Sequence, residues 1–271
     1  MANNVSPRVS VLIPHFKTLE LTKFCLRSLR KYTDLARVQV IVIDNGSKDA
    51  STDYLRSLPW ITLIEREPVA GERPPTAHAR ALDLGLARVE APYVLSIHTD
   101  TIVISPQWLD FLLDRIEADE RIAGVGSWKL EFKPWYKRLA KRVESAWFAL
   151  CARLQKPGAR KDGDPALYLR SHCALYRTEL LRRFELRFDS EDDTAGKALH
   201  RKLVEQGFVM EFIDTYDLAR QVRHINHATM ILNPEIAGRK TGTEAERRRL
   251  RRELESLDYL QILHDESLDG L

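Results

Sequence analysis

Cysteine is scarce in this sequence, with only Cys25, Cys151 and Cys173 among 271 residues. Three widely spaced cysteines predict neither a disulfide framework nor a zinc cluster, and they are typical of a protein in a reducing compartment. No apolar run is long enough to span a bilayer, and the first residues lack the charged-then-apolar layout of a signal peptide. We therefore expect a cytoplasmic protein.

A strong excess of one charge is also lacking. The formal net charge is +3 and the isoelectric point is about 8.7, which is too mild to indicate a nucleic-acid partner. The hydrophobic share of 44% and the charged share of 30% are those of a globular protein. The length suits one large α/β domain with a modest appendage, and the chain has no internal repeat.

Two glycine-rich phosphate-binding motifs are missing. The first strand pattern ends in Pro14-His15-Phe16 rather than in G-x-G-x-x-G, and G-x-x-x-x-G-K-[ST] does not occur. A dinucleotide dehydrogenase and a P-loop kinase are therefore both disfavoured. If the chain binds phosphates, a metal ion and side chains must hold them.

The first hundred residues alternate short β-branched runs with amphipathic helical patterns. The runs predict strands over residues 9–16, 38–44, 61–65 and 93–98. Near-continuous apolar strands separated by helices predict a parallel sheet that is covered on both faces.

The second half is less regular. Its patterns predict strands over residues 122–132, 167–176 and 208–214. They also predict a helix over 194–206 that is stopped by Gly207, and an arginine-rich C-terminal helix from 243 onwards. The fold class is thus α/β, with a parallel-then-mixed central sheet flanked by helices.

Acidic and imidazole side chains follow the predicted parallel strands. They are His15, Asp44, Glu65, His98 and Asp100. Ligands bind at the carboxyl ends of the strands in such sheets, and a divalent cation is the natural bridge between carboxylates and phosphates. Each residue taken alone could merely begin a turn, but the set together indicates a phosphate-binding edge.

The segments VSVLIPHFKTLELTKFCLRSLRKYT, VQVIVIDNGSKDAST and APYVLSIHTDTIVISPQWLDFL resemble the family-2 glycosyltransferases, which have a Rossmann-like GT-A fold. The likeness covers about the first 115 residues well and residues 168–229 more loosely. It implies transfer of a sugar from a nucleotide-diphosphate donor to an acceptor hydroxyl, with inversion. It also implies a GT-A domain over 1–235, with a nucleotide-binding half (1–115) and an acceptor half (116–235), before a C-terminal helical extension (236–271).

The resemblance implies which residues bind the nucleotide: Pro14, His15, Phe16, Asp44, Ser47, Asp49, Asp83, His98, Thr99 and Asp100. The family's Asp-x-Asp motif is here His98-Thr99-Asp100, so Asp100 becomes the expected ligand of Mn or Mg, and His98 takes the ribose-side position. His224 and His227 are further candidate ligands, because neutral imidazole binds borderline divalent ions. Packed or surface histidines are the alternative.

Three basic or imidazole residues are candidates for phosphate or sugar contacts: Arg73, Arg80 and His172. The acids Glu191, Asp192 and Asp193 precede a helical pattern. The resemblance implies that one of them is the general base, with Asp193 ranked just ahead of Asp192. Acids at a helix N-terminus also complement its dipole without any catalytic role.

The segment 134–156 combines an aromatic and apolar stripe with cations at helical spacing. This pattern is typical of a helix in a membrane interface, where a lipid-linked acceptor would be met. It is also typical of an amphipathic helix packed on the core with a solvated basic face. The run ERRRLRR at 246–252 suits a solvated face, an oligomer contact or membrane attachment.

Two other classes of function stay open at this point. A nucleotidyltransferase has a similar fold, but it should carry a glycine- and arginine-rich loop where Pro14-His15-Phe16-Lys17 stands. A membrane-surface or nucleic-acid-binding module would use the two basic helices, and its binding would fall steeply with salt.

Overall fold

The computed structural model describes residues 6–128, 167–190, 194–225, 228–232, 242–256 and 258–270. Several predictions fall outside these ranges and stay predictions: the amphipathic helix at 134–156, the acids Glu191, Asp192 and Asp193, and His227. In the part of the chain that is described, no helix has the length and apolar character needed to cross a membrane.

In the described part of the chain, seven strands form one sheet: β1 (Val9–His15), β2 (Val38–Asp44), β3 (Ile61–Glu65), β4 (Tyr93–Ile97), β6 (Ile122–Gly126), β7 (Cys173–Arg177) and β8 (Val209–Phe212). Their order across the sheet is β3-β2-β1-β4-β7-β6-β8. The pairs among β3, β2, β1 and β4 are parallel, β7 is antiparallel to both β4 and β6, and β6 is parallel to β8. The predicted parallel-then-mixed sheet is confirmed.

A second sheet of two short strands lies beside the first. It pairs β5 (Thr101–Val103) with β9 (Val222–His224) in antiparallel fashion. The sequence patterns did not predict these strands, because three residues are too few to display an alternation.

The helices cover both faces of the main sheet. They are α1 (Leu19–Tyr32), α2 (Ala50–Ser57), α3 (Pro74–Leu86), α4 (Trp108–Glu117), α5 (Thr178–Arg183), α6 (Lys197–Glu205), α7 (Thr215–Leu218), α8 (Ala228–Leu232), α9 (Glu244–Glu255) and α10 (Tyr259–Leu263). Buried residues of α1, α2 and α4 pack on one face, and those of α3, α5 and α6 pack on the other. Apolar residues dominate β1 and β2 because these strands are buried on both faces.

The C-terminal segment packs on the outer side of α1. Leu250 of α9 and Ile262 of α10 are buried against Phe24 and its neighbours. The prediction of one continuous helix from residue 243 is wrong, because the chain turns at Asp258, which has a φ of +52°. Leu260 of α10 is 61% exposed.

Two predicted strands are shorter in the structure. The strand predicted over 122–132 ends at Gly126, and the one predicted over 167–176 begins only at Cys173. Tyr168 and Leu169 are apolar because they are buried beneath the end of the sheet, not because they belong to a strand. Residues 167–172 instead form a loop that contributes to the candidate site.

Candidate active site

A cavity of about 660 Å³ opens at the carboxyl ends of β1, β2 and β4. Eight of the residues expected to form a site line it: Pro14, His15, Phe16, His98, Thr99, Asp100, His172 and His224. The cavity therefore lies at the edge of the sheet where ligands of parallel α/β proteins bind.

Asp100, His98 and His224 form a group able to hold a metal ion. His224 Nε2 lies 3.2 Å from Asp100 Oδ1, and His98 Nδ1 lies 3.7 Å from the same oxygen. The three ligand atoms are all within 4.8 Å of one another. Asp100 Oδ1 is buried, yet it accepts no hydrogen bond from the residues that the structure describes. One carboxylate with a spare lone pair and two imidazoles suit a divalent cation.

The backbone brings these three side chains together. His98 and Asp100 follow β4 directly, and Thr101 of β5 pairs with His224 of β9. The backbone N–H of Ile225 donates to the carbonyl of Asp100 over 2.7 Å, which fixes the end of β9 against the metal group. A short sheet that sequence patterns did not predict thus positions His224.

Hydroxyl groups hold the imidazoles of the cavity in place. Ser171 Oγ lies 3.0 Å from His98 Nε2 and 3.1 Å from His78 Nε2. Ser127 Oγ lies 3.1 Å from Nε2 of His172. A proton on Nε2 of His98, donated to Ser171, would leave the Nδ1 lone pair directed at the metal group.

Burial keeps three imidazoles of the cavity neutral, those of His78, His98 and His172, while Asp100 stays ionised. Burial lowers the pKa of His78 to about 4 and holds the pKa values of His98 and His172 well below the usual range. Burial alone would raise the pKa of Asp100, but the imidazoles of His224 and His98 outweigh it, so that pKa lies below its usual value. Neutral imidazoles and an anionic carboxylate are the protonation states that bind metals.

His15 is buried at the end of β1, and both of its ring nitrogens are engaged. Nε2 lies 2.8 Å from Ser51 Oγ, and Nδ1 lies 2.9 Å from Thr22 Oγ1. Burial lowers the pKa of His15 to about 4. The ring therefore connects β1 to α1 and α2, and both of its nitrogens are occupied by these contacts.

Asp44 ends β2, but it is absent from the described lining of the cavity. Its Oδ1 accepts hydrogen bonds from the backbone N–H and the hydroxyl of Ser47, and its Oδ2 accepts one from Thr52 over 2.6 Å. Asp49 caps α2 by accepting from the N–H of Ser51. Asp44, Ser47 and Asp49 thus shape the loop that follows β2 at the edge of the cavity.

Asn45 follows Asp44 and does line the cavity. Gly46 then adopts a φ of +77°, and a Cβ there would lie 2.7 Å from Pro68 Cδ, so a glycine is required. Arg66, at the end of β3, donates to Asn45 Oδ1 and to Glu72. The Arg66 and Glu72 side chains are only 10% and 5% exposed, so this buried pair forms a rigid wall.

Three other candidate residues are absent from the described lining of the cavity. Arg80 is exposed and forms ion pairs with Glu72 and Asp189. Arg73 is exposed at the N-terminal end of α3. Asp83 accepts hydrogen bonds from the backbone N–H groups of Phe188 and Asp189, so it holds α3 against the segment before residue 190.

Several residues that line the cavity were not predicted from the sequence, among them Asn45, Arg66, His78, Trp128, Arg170 and Ser171. Asn45 and Arg66 follow strands directly, so their position at a carboxyl end was a signal that could have been used. His78 lies on a helix, and the other three lie in segments flanking β6 and β7, where no local pattern indicates a site.

The fold and the cavity define an α/β protein of the GT-A class. The sequence model of the family described as Glycosyl transferase family 2 matches residues 10–184, and the chain belongs to that family. Two curated relatives match over parts of their length. The teichoic acid poly(glycerol phosphate) polymerase of Staphylococcus epidermidis is 23% identical over 216 residues, which are 76% of this chain and 26% of that protein.

The other curated relative, an uncharacterized protein of Sinorhizobium fredii, is 29% identical over 108 residues, which are 38% of this chain and 11% of that one. The chain thus spans about a quarter and about a tenth of these two relatives. The mannosyltransferase PcManGT of Pyrobaculum calidifontis, solved with GDP-Man and Mn2+, is a structural neighbour with 16% identity and a TM-score of 0.57. The comparison covers 95% of this chain and 72% of that one.

S. aureus TarS 1-349 is a second structural neighbour, with 15% identity and a TM-score of 0.53. The comparison covers 94% of this chain and 69% of that one. At these identities the two structures establish the GT-A fold of the chain and nothing finer. The expected fold and family are confirmed.

Proposed function

We propose that this glycosyltransferase transfers a sugar from a nucleotide-diphosphate donor to an acceptor hydroxyl with the help of a divalent cation, Mn2+ or Mg2+. The observation that carries the proposal is the group formed by His98, Asp100 and His224 within a cavity at the strand ends. The PcManGT structure, which holds GDP-Man and Mn2+, supports the type of donor and cofactor. The nucleoside would lie near Phe16 and Asn45.

The residues present fit a bound cation. Asp100 offers a buried oxygen that lacks a hydrogen bond among the described residues, and His98 and His224 offer ring nitrogens beside it. A cation held there would supply positive charge to stabilise the departing diphosphate. In this proposal His98 is a metal ligand, rather than the ribose-side partner that its place in the motif first implied.

The proposal places the general base among Glu191, Asp192 and Asp193. Thr194 and Ala195, the next residues along the chain, line the cavity, which supports a position close to the acceptor. A carboxylate there would accept the proton of the acceptor hydroxyl as that oxygen attacks the anomeric carbon. The inverting outcome follows from a single displacement.

A panel of nucleotide sugars tests the proposed reaction. The purified chain should hydrolyse at least one UDP-, GDP- or dTDP-sugar slowly, in a reaction that needs Mn2+ or Mg2+ and stops with a chelator. The same sugar nucleotide should raise the melting temperature only when the metal is present. Hydrolysis that is unaffected by chelation would refute the metal-dependent mechanism.

We further propose that the acceptor is a lipid-linked saccharide met at the cytoplasmic face of a membrane, with the segment 134–156 as the membrane contact. The proposal rests on sequence: Trp135 and Trp147 share a stripe flanked by five cations, each contributing about 1 kcal/mol near an anionic surface. Sedimentation with anionic vesicles should be clear at low salt and weak with neutral lipid. Loss of binding in a Trp135→Ala, Trp147→Ala variant that still hydrolyses donor would support it, and no sedimentation of the wild type would overturn it.

A further inference from the structure

Arg170 is held in the wall of the cavity by two aromatic rings. Its guanidinium carbon lies 4.6 Å from the centre of the Trp128 ring and 4.8 Å from the centre of the Tyr168 ring. The two rings meet edge to face, with centroids 5.1 Å apart. Stacking on rings orients a guanidinium while leaving its N–H donors available.

The charge of Arg170 is not neutralised within the described part of the chain, where its guanidinium has no ion pair or hydrogen bond. This sets it apart from Arg66, the other arginine of the cavity, whose charge is balanced by the buried Glu72. Arg170 lines the cavity together with Trp128. A cation that faces a cavity and has no carboxylate partner among the described residues is suited to an anionic ligand.

The strand order places Arg170 on the far side of the metal group from the nucleoside end. Phe16 and Asn45 follow β1 and β2, whereas Trp128 follows β6 and Arg170 precedes β7. The metal group at the end of β4 lies between them. Ser171 connects the two parts, because its hydroxyl lies 3.0 Å from His98. A donor with its diphosphate at the metal group would therefore direct its sugar, and the acceptor, towards Arg170.

We propose that Arg170, on its platform of Trp128 and Tyr168, binds an anionic group of the acceptor, a phosphate or a carboxylate carried by a saccharide. Two N–H donors of the guanidinium can hold two oxygens of such a group at once. The aromatic edge beside it offers a surface for the apolar side of a sugar ring. This inference rests on the proposed function, since it takes the donor to occupy the opposite end of the cavity.

Calorimetry with simple sugars as probes tests the inference. Glucose 6-phosphate, glucuronate and the neutral methyl glucoside are titrated into the protein, with and without Mn2+ and UDP or GDP. The two anionic probes should bind about tenfold more tightly than the neutral one, the scale of hydrogen bonds to a charged group. Arg170→Gln should abolish that preference, and Arg170→Lys should keep part of it. Arg201→Gln, which removes an exposed charge on α6, should keep all of it.

The outcomes separate the inference from the proposed function. An unchanged preference for anionic probes in Arg170→Gln would overturn the inference. The inference would also be overturned if that variant lost as much Mn2+-dependent affinity for UDP or GDP as for the anionic probes, because Arg170 would then serve the donor's diphosphate. If neither nucleotide binds the wild type, the proposed function fails, whereas an Arg170-dependent preference measured without nucleotide still supports an anion site. Unchanged melting temperatures of the variants exclude unfolding as the cause.

Discussion

Asp269 near the C-terminus should stabilise the whole domain through one buried arginine. The Arg27 side chain in α1 is only 2% exposed, while that of Asp269 is 25% exposed. Arg27 donates through Nε to Asp269 Oδ1 over 2.8 Å and through Nη2 to Oδ2, and Tyr54 donates to Oδ1 over 2.8 Å. Asp269→Asn removes the charge and one acceptor, which leaves the guanidinium buried without a counter-charge.

Breaking a buried ion pair from one side costs about 3–5 kcal/mol. Because a quarter of the Asp269 side chain is exposed, we expect the lower end, about 3 kcal/mol. For a domain of this size that loss lowers the melting temperature by roughly 6–12 °C. Urea unfolding followed by tryptophan fluorescence measures the free energy, and Glu266→Gln, an exposed acid nearby, is the control for charge.

The effect should depend on pH in a defined direction. Burial opposes ionisation of Asp269, but the hydrogen bonds from Arg27 and Tyr54 outweigh it, so the pKa of Asp269 lies below its usual value. Stability from a lowered pKa is present above the unfolded pKa of about 3.9 and is lost as the pH falls through the folded pKa. The gap between wild type and Asp269→Asn should thus narrow below about pH 4. A variant within about 0.5 kcal/mol of the wild type at pH 7 would refute the reasoning.

Two further predictions concern the site. Ser171→Ala removes the hydroxyl that fixes His98, so Mn2+ affinity measured by calorimetry should fall about tenfold or more. The control Ser127→Ala makes the same change beside His172 and should leave Mn2+ affinity within about twofold of the wild type. Equal losses of Mn2+ affinity in both variants would contradict the role of Ser171. Of Asp192→Asn and Asp193→Asn, at least one should lower turnover about a hundredfold or more with donor affinity kept, and near-normal rates in both would move the base elsewhere.

The first half of the sheet was predictable because its strands β1, β2 and β4 are buried on both faces. Continuous apolar runs gave β2 and β3 with their observed bounds, and β1 and β4 to within one residue. The carboxyl ends of these strands then followed from topology, which is why His98 and Asp100 were expected near the site. These properties depend on local sequence and on one rule about parallel sheets.

The other half of the site depends on contacts that no local pattern encodes. Ser171 reaches His98 only because residues 167–172 form a loop, where apolar residues had suggested a strand. His224 reaches Asp100 through a pairing of two three-residue strands. Arg73 and Arg80 were chosen as phosphate contacts, but they are exposed, while Arg66 at the end of β3 faces the cavity. In each case tertiary packing, not propensity, decides the position.

Binding of Mn2+ tests the central claim most directly, namely that His98, Asp100 and His224 hold the cation that a nucleoside diphosphate requires. Electron paramagnetic resonance reports free Mn2+ during titration of the protein with UDP and GDP present. The account predicts one tight Mn2+ site in the wild type and in Asp110→Asn, which changes an exposed acid on α4 as a control. It predicts no such site in Asp100→Asn, whose melting temperature without metal should equal that of the wild type. Equal Mn2+ binding by the wild type and Asp100→Asn would contradict the account.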